Sequence, residues 1–499
     1  MKKNIGKALI IFITFGLSYS LSAQSGKYEV SEKQIFTSMD KTAGTFLEES
    51  GAGSFSIGIV KDGKTYTRHY GETDKGKGNK ATDNTLFEVA SITKLFTGTL
   101  MAKAVLDGRI SVDDDIRKYI TGSYPDLEYH GTPITIKDLV SLKAGFNKDL
   151  PDRSEIMKDK NERTPFILKA FEESYTKEQF FKDLGLIRLD TLPGKVYKYN
   201  NGTIQLAAHI LENVYRKSYE TLLKEQILSP LNLKNTKLHL NKNETLANGY
   251  DENNVLMPTL PNTLWGASGS LKSTLGDLTR LLSFELDRKN PVVQESQRDL
   301  LNDVNYWNGY FWDEVTTNHN GLNSRKHGGA FGTQNLFWVF PDYKTGISVI
   351  VNQSGDHTYE HLYYAVQALI DDLKPFGKKS IRRAILQKSI ENVDAGISYY
   401  KDLKANQPDA YNFSDESELN VLGYQLLRMG RAAASIKIFR LYVSEFPASG
   451  NAYDSLGEAY FNNKEYDLSR QNYLKSLELN PDNTNAKDML KKIGELAEK

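Results

Sequence analysis

The stretch Phe87 to Ile120, FEVASITKLFTGTLMAKAVLDGRISVDDDIRKYI, decides how the rest of the chain is read. From Ser91 to Leu106 the apolar residues recur at helical spacing, and Asp107-Gly108 stops the run. Ser91 and Lys94 open that helix three residues apart, which sets a hydroxyl and an amine on one face, one turn from each other. An amine so placed can take the hydroxyl proton, and a helix N-terminus favours the negative charge that develops. The spacing alone carries little weight, because Ser38-Lys41, Ser174-Lys177 and Ser398-Lys401 share it. Context separates them: Ser91 follows Phe87-Glu88-Val89-Ala90 and opens the most apolar helix of its region.

Working outward, Ser54 to Val60 and Thr65 to Tyr70 read as strands joined by the hairpin signal Asp62-Gly63. Ile204 to Val214 is a second apolar helix. Gln334 to Phe340 and Ile347 to Val351 are strand-like around a turn at Pro341, and Tyr359 to Leu373 reads as a helix. Early and late strands bracketing a helical middle predict an α/β fold, one mixed antiparallel sheet with helices packed on it. The charged, aromatic run from Asn147 to Leu186 has weaker periodicity, and a flap over a pocket and a surface excursion both fit it.

Two further motifs carry chemistry. In Tyr199-Asn200-Asn201 a phenol can shuttle a proton and an amide can hold a substrate, after Pro193-Gly194 and before the second apolar helix. In His327-Gly328-Gly329 the glycines let a substrate backbone approach a strand, and His327 can bind a carboxylate when charged or hydrogen-bond Tyr199 when neutral. Lys344-Thr345-Gly346 matches the Lys-Thr-Gly triplet of penicillin-recognising enzymes by letters, but it falls at a hairpin tip, away from Ser91. His357-Thr358-Tyr359-Glu360-His361 matches an inverted zinc-protease pattern with no third ligand evident, so no metal and no other cofactor is expected. No Gly-x-Ser-x-Gly occurs, which argues against an α/β-hydrolase elbow.

As a set, these stretches resemble the serine β-lactamase-related and penicillin-binding-protein-like hydrolases, in their class C β-lactamase-like branch. Phe87 to Ile120 resembles the family's nucleophile helix. LPGKVYKYNNGTIQLAAHILE (192–212) resembles its tyrosine motif, and HGGAFGTQNLFWVFPDYKTGISVIVNQS (327–354) its last active-site strand and hairpin. Pro230-Leu231-Asn232-Leu233 with Thr236, and Ser268-Gly269-Ser270-Leu271 with Asp277-Leu278, are similar to further landmarks. The resemblance covers residues 31–372. It implies a β-lactamase/transpeptidase-like domain, with Ser91 as nucleophile, Lys94 as base and Tyr199 as proton relay. It further implies that Asn201, His327, Gly328, Gly329 and Ala330 bind substrate, with the N–H groups of Ser91 and Ala330 as oxyanion hole. His327 stands where β-lactamases carry Lys, which points to esterases and D-aminopeptidase-like members. Two alternatives stay open: a β-lactamase or D,D-peptidase acting on β-lactams or muropeptides, and a silent scaffold.

The remaining features set context. The chain has 499 residues, 39% hydrophobic, with zero formal net charge, so it offers no basic field for nucleic acid. The absence of cysteine excludes disulfides and thiol nucleophiles. Residues 1–23 read as a signal peptide: Lys2, Lys3 and Lys7, an apolar Ala8 to Leu17, then small residues to Ala23. They predict export to the periplasm or medium with no membrane span left in the mature chain. After a break at Pro375-Phe376-Gly377, a helical linker is expected over 373–410. Over 411–499, a shift of 34 residues superposes Leu422 on Leu456, Gly423 on Gly457, Ser435 on Ser469, Phe439 on Tyr473 and Pro447 on Pro481. That register resembles tetratricopeptide repeats closed by a capping helix, a stack able to hold a peptide or protein partner.

Overall fold

The computed structural model describes residues 30–497 apart from 262, 304–305, 319 and 374–377, so the signal-peptide reading and the Pro375-Phe376-Gly377 break lie outside the described residues. Seven antiparallel strands form the main sheet: β1 (Ser54–Lys61), β2 (Lys64–Gly71), β3 (Tyr306–Trp307), β4 (Glu314–Asn318), β5 (Gly321–Gly329), β6 (Gln334–Phe340) and β7 (Thr345–Val351). Their spatial order is β2-β1-β7-β6-β5-β4-β3, so the first hairpin of the chain joins the sheet beside its last strand. Asp62 and Gly63 both take positive φ, 50° and 78°, the turn whose twist matches the strands it connects.

Alternation along the strands divides the core in two. Phe55, Ile57, Ile59, Leu336, Trp338 and Val349 pack on α1 (Glu32–Ser50) and α5 (Asp356–Leu373). Val60, Phe337, Val339 and Ile350 point the other way, into the larger core that holds α2 (Thr93–Leu106), α3 (Asn201–Tyr215) and α4 (Leu275–Glu285). A side chain at Gly58 would strike α4, since its Cβ would lie 2.7 Å from Thr279 Cγ2. The predicted strands and helices are thus present, α5 starting three residues earlier than its periodicity suggests.

The 147–186 region is anchored at one end and loose at the other. Helix Lys177–Leu184 buries Phe180 and Leu184, with Phe180 edge-on to Trp265 at 5.5 Å. Helix Ser154–Lys158 buries nothing, and Phe166 and Ile167 on helix Thr164–Glu173 are each 47% exposed.

Beyond the sheet domain lie α6 (Ile381–Glu391), α7 (Val393–Asn406), α8 (Ser417–Arg428), α9 (Ala432–Glu445), α10 (Gly450–Asn462), α11 (Tyr466–Leu479) and α12 (Thr484–Ala497). The α8–α9 and α10–α11 hairpins repeat their contacts. Ser435 Oγ donates to Gly423 O and Ser469 Oγ to Gly457 O, both at 2.8 Å, while Phe439 and Tyr473 lie against those glycines. The 34-residue register is therefore a real structural period. The expected linker differs: α6 and α7 form a hairpin whose Ile385, Tyr400 and Leu403 share the apolar cluster of α8 and α9, because their apolar faces need a partner as much as the repeats do. Among the described residues, no helix is long and apolar enough to cross a membrane.

Candidate active site

The turn that carries Ser91 is shaped before α2 begins. Val89 N donates to Leu271 O at 3.2 Å and Asn335 Nδ2 to Glu88 O at 2.9 Å, which fixes the chain entering Ala90. Ala90 then takes a φ of 44°, a region that non-glycine residues rarely occupy, and a 3₁₀ turn over Ala90–Ile92 leads into the helix. Ser91 is left half-buried at the helix head, facing a cleft between the sheet and the helical layer. Lys94, one turn on, is 0% exposed. Its ammonium nitrogen donates to Ser91 Oγ at 2.9 Å and to Ser268 O at 2.5 Å. Gln205 of α3 supports that carbonyl's residue, donating to Ser268 Oγ at 3.1 Å.

Tyr199 completes the group. Its hydroxyl lies 2.5 Å from Ser91 Oγ, and Lys94 Nζ sits 4.8 Å from its ring centre. The ring is 44% exposed to the cleft while its hydroxyl points inward. Asn200 caps α3 by accepting from Thr203 N and ties Tyr199 to the preceding loop by donating to Lys148 O at 2.8 Å. Asn201 opens α3 half-buried, and among the described residues its side-chain amide makes no hydrogen bond. The Leu142-Lys143-Ala144-Gly145 run braces the same segment: Lys198 N donates to Leu142 O and Gly194 N to Lys143 O.

Strand β5 forms the opposite wall and corrects two expectations. Side chains alternate along a strand, so Ser324, Lys326 and Gly328 share one face and Arg325, His327 and Gly329 the other. Gly328 faces the nucleophile turn so closely that a Cβ there would lie 2.3 Å from Val89 O. Lys326 therefore points into the cleft wall, with its ammonium 5.5 Å from the Tyr199 ring centre. His327 points to the other side of the sheet, its ring 4.4 Å from that of Tyr359 on α5. It lies away from Tyr199, and the cation on the Ser91 side of β5 is Lys326.

The oxyanion-hole expectation shifts by one residue for the same reason. Ala330 N donates to Thr333 O at 2.8 Å, closing the β5–β6 turn. Antiparallel pairs alternate between bonded and non-bonded, so the N–H groups of Gly329 and His327 point away from β6. His327 N donates to Asp313 Oδ2 at 2.6 Å, and β4 pairs with β5 only as far as Arg325. Gly329 N–H thus opens on the cleft side beside Ser91, and Ala330 N–H does not.

The electrostatics follow from burial. Lys94 is held well below the ordinary lysine range, first by desolvation and then by the Lys326 ammonium. Tyr199 is raised above an ordinary phenol, by burial and then by the Asp313 carboxylate. Burial raises Asp313, but the Lys326 ammonium at 2.6 Å and the hydrogen bonds from Lys326 and His327 N together outweigh it, and the carboxyl lies below its usual range. His327 is pushed down to about 4 by burial and is neutral near pH 7. A neutral amine against a hydroxyl, a protonated phenol on the far side of it and a fixed cation behind both suit proton transfer from Ser91.

Sequence reading missed Lys326, Asp313, Gln205 and Gly329 N–H. The strand period held a usable signal for Lys326, since the residue sharing a face with the close-approach glycine is two positions before it. Asp313 gave none, because it lies before β4 and meets Lys326 only through the sheet. The two decoys separate cleanly. Thr345 pairs with Phe340, the end of β6 opposite Asn335, so Lys344-Thr345-Gly346 lies far along the strands from Ser91. His357 and His361 bond to Glu49 at the α1–α5 contact, and no group of three or more metal-ligating side chains occurs among the described residues.

Comparison with known proteins places this fold among related chains. Protein flp of Staphylococcus aureus (strain MRSA252) is 27% identical over 322 residues, 62% of this chain and 61% of that protein. The chain thus spans about three-fifths of the length of that relative. The D-alanyl-D-alanine-carboxypeptidase/endopeptidase AmpH of Escherichia coli (strain K12) is 25% identical over 357 residues, 70% of this chain and 85% of that protein. The octameric penicillin-binding protein homologue from Pyrococcus abyssi shares the fold, with a TM-score of 0.55 at 23% identity over 72% of this chain and 82% of that one. A family model described as Beta-lactamase matches residues 39–371, from α1 to the end of α5, and encloses Ser91, Lys94, Tyr199 and β5; the chain belongs to the Beta-lactamase family.

Proposed function

We propose that this protein is an acyl-transferring serine hydrolase of the D,D-peptidase type, acting on D-alanyl peptides of muropeptide chemistry and on β-lactams. One observation carries the mechanism: Ser91 Oγ lies between the Lys94 amine at 2.9 Å and the Tyr199 hydroxyl at 2.5 Å, with Lys94 wholly buried beside a second cation. Neutral Lys94 takes the Ser91 proton as Oγ attacks the substrate carbonyl. The oxyanion forms between Ser91 N–H and Gly329 N–H. Tyr199 passes its proton to the leaving nitrogen as the bond to the carbonyl carbon breaks, and the Lys94 ammonium returns a proton to Tyr199. Water then attacks the acyl-serine, giving up its proton through the same pair and releasing the acid. The half-buried Asn201 amide is placed to hold the substrate backbone.

Two considerations favour this substrate class. AmpH, alike along 85% of its length, is by its name a D-alanyl-D-alanine carboxypeptidase and endopeptidase. The reason to set β-lactams aside, a titratable histidine in place of a lysine, loses force once the buried Lys326 and not His327 lies on the Tyr199 side of β5. One observation favours the second reading, hydrolysis of neutral esters or D-aminoacyl amides: Lys326 is paired with Asp313 at 2.6 Å, which offsets its attraction for a substrate carboxylate. A panel of a D-alanyl-D-alanine peptide, a chromogenic cephalosporin and an aryl acetate separates the two. We expect turnover of all three, the activated aryl ester included, and none of the three in Ser91→Ala. Turnover of the aryl ester alone would establish the second reading, and activity retained in Ser91→Ala would defeat both.

A further inference from the structure

Asp313 sits where strand β4 would have to continue to keep pairing with β5, and it does not continue. The ladder ends at the Glu314–Arg325 pair. One residue further, the Asp313 carboxylate takes the place of a backbone partner: Oδ2 accepts from His327 N and Oδ1 from Lys326 Nζ, both at 2.6 Å. Its own backbone is fixed as well, since Asp313 N donates to Arg325 O at 3.1 Å and Asn308 Nδ2 donates to Asp313 O at 2.7 Å. Lys326, 0% exposed, is therefore a buried cation with one anionic partner in hydrogen-bond range.

We propose that Asp313 is a positioning residue for acyl transfer: it keeps the Lys326 ammonium charged and seated beside Lys94 and Tyr199, and it ends the β4–β5 ladder so that the strand edge at Gly329 stays open. The inference rests on the acyl-serine reading above. Its physical basis is that a buried ammonium without a counter-ion gives up its proton rather than stay charged in a poorly solvating interior. Lys94 would then lose the positive neighbour that helps to hold its own proton off. The other charged and titratable groups around the trio are Asp149 and Arg153 on the segment entering helix Ser154–Lys158, Tyr197 beside Tyr199, and Arg325 and His327 on β5. His327 is neutral and faces away, and Asp149 and Arg153 are paired with each other at 2.6 Å, so none of these can replace Asp313.

The test is the pH dependence of kcat/KM for a neutral aryl acetate, measured on the full chain for wild type, Asp313→Asn, Asp313→Glu, Lys326→Met and the Asp313→Asn/Lys326→Met double variant. In Asp313→Asn the acid limb should move upward, with kcat/KM about tenfold lower at pH 7 and within about threefold of wild type at pH 9.5, where Lys94 is again neutral. Lys326→Met should move the limb as far, the double variant no farther, and Asp313→Glu should restore most of the wild-type profile. A loss that is uniform across pH, a limb that stays or moves downward, or single losses that multiply in the double variant would each overturn the proposal. If Asp313→Asn does not fold, Lys326→Met decides alone, an unmoved limb counting against it. A wild-type protein that a fluorophosphonate probe fails to label at Ser91 would remove the acyl-serine reading and this inference together. Labelling with an unmoved limb removes this inference only.

Discussion

At the scale of the residue, the site works by removing water from charges. Lys94 is held low because burial takes its amine out of water and a second ammonium stands nearby, whereas an ordinary lysine is neutral in only about one molecule in 10³ at pH 7. His327 shows the same physics without the chemistry. Burial pushes it down to about 4, below the value of about 6.5 expected when unfolded. The folded state thus prefers neutral imidazole. That contribution is complete above about pH 6.5 and is lost as the pH falls toward 4, where the unfolded chain binds the proton and the folded one resists it. We expect wild type to lose on the order of 2 kcal/mol from this group between pH 7 and 4.5, and His327→Gln to lose correspondingly less. Urea denaturation at the two pH values measures the difference. If the two proteins lose stability equally, His327 is not buried as described.

At the scale of the element, the contact of β5 with the nucleophile turn sets the distance across the cleft. Gly328 and Gly329 are adjacent but not equivalent. A Cβ on Gly328 meets the Val89 carbonyl at 2.3 Å, backbone against backbone, so the strand and the turn must separate. A Cβ on Gly329 meets only the His327 ring edge, at 3.2 Å, a side chain rather than backbone. Gly328→Ala should therefore lower the rate of Ser91 acylation by an aryl acetate at least tenfold, about 1.4 kcal/mol or more, while Gly329→Ala leaves folding intact. Stopped-flow acylation beside thermal melting distinguishes a displaced turn from a lost fold. Equal rates in Gly328→Ala and wild type would show that this contact does not set the cleft.

At the scale of the whole molecule, the helical array docks on the back of the sheet domain, away from Ser91. Its contacts there are polar: the Arg382 guanidinium lies 4.1 Å from the Tyr364 ring centre and donates to Gln367 Oε1, Arg428 pairs with Glu360 at 2.6 Å, and Ser380 N donates to Asp371. The apolar cluster of the array does not merge with either cluster of the sheet domain. A cavity of about 1160 Å³ remains between the two, walled by Tyr359, Tyr363, Tyr424 and Arg428. A chain ending at residue 378 should stay soluble and hydrolyse a small ester within about threefold of the full-length rate, a change under about 1 kcal/mol, with a melting point a few degrees lower. Insolubility, or a loss beyond about tenfold, would mean that the array buttresses the catalytic strand through α5.

The sequence by itself determined the main elements and the placing of Ser91 beside Lys94. Helical periodicity placed Ser91 and Lys94 on one face, the Asp62-Gly63 pair set the first hairpin, and the 34-residue period gave the paired contacts of Gly423 with Phe439 and Gly457 with Tyr473. These are readable because the interacting residues lie within a few turns of one another, or because a repeat states them twice. Tertiary structure alone decided which face of β5 meets the cleft, and so that Lys326 rather than His327 supplies the cation. It also decided that Asp313 ends a ladder, that Gly329 rather than Ala330 offers its N–H, and that residues 381–406 join the helical stack. Each depends on strand register or on which neighbour covers a face, and a one-residue change of register reverses every side chain in a strand.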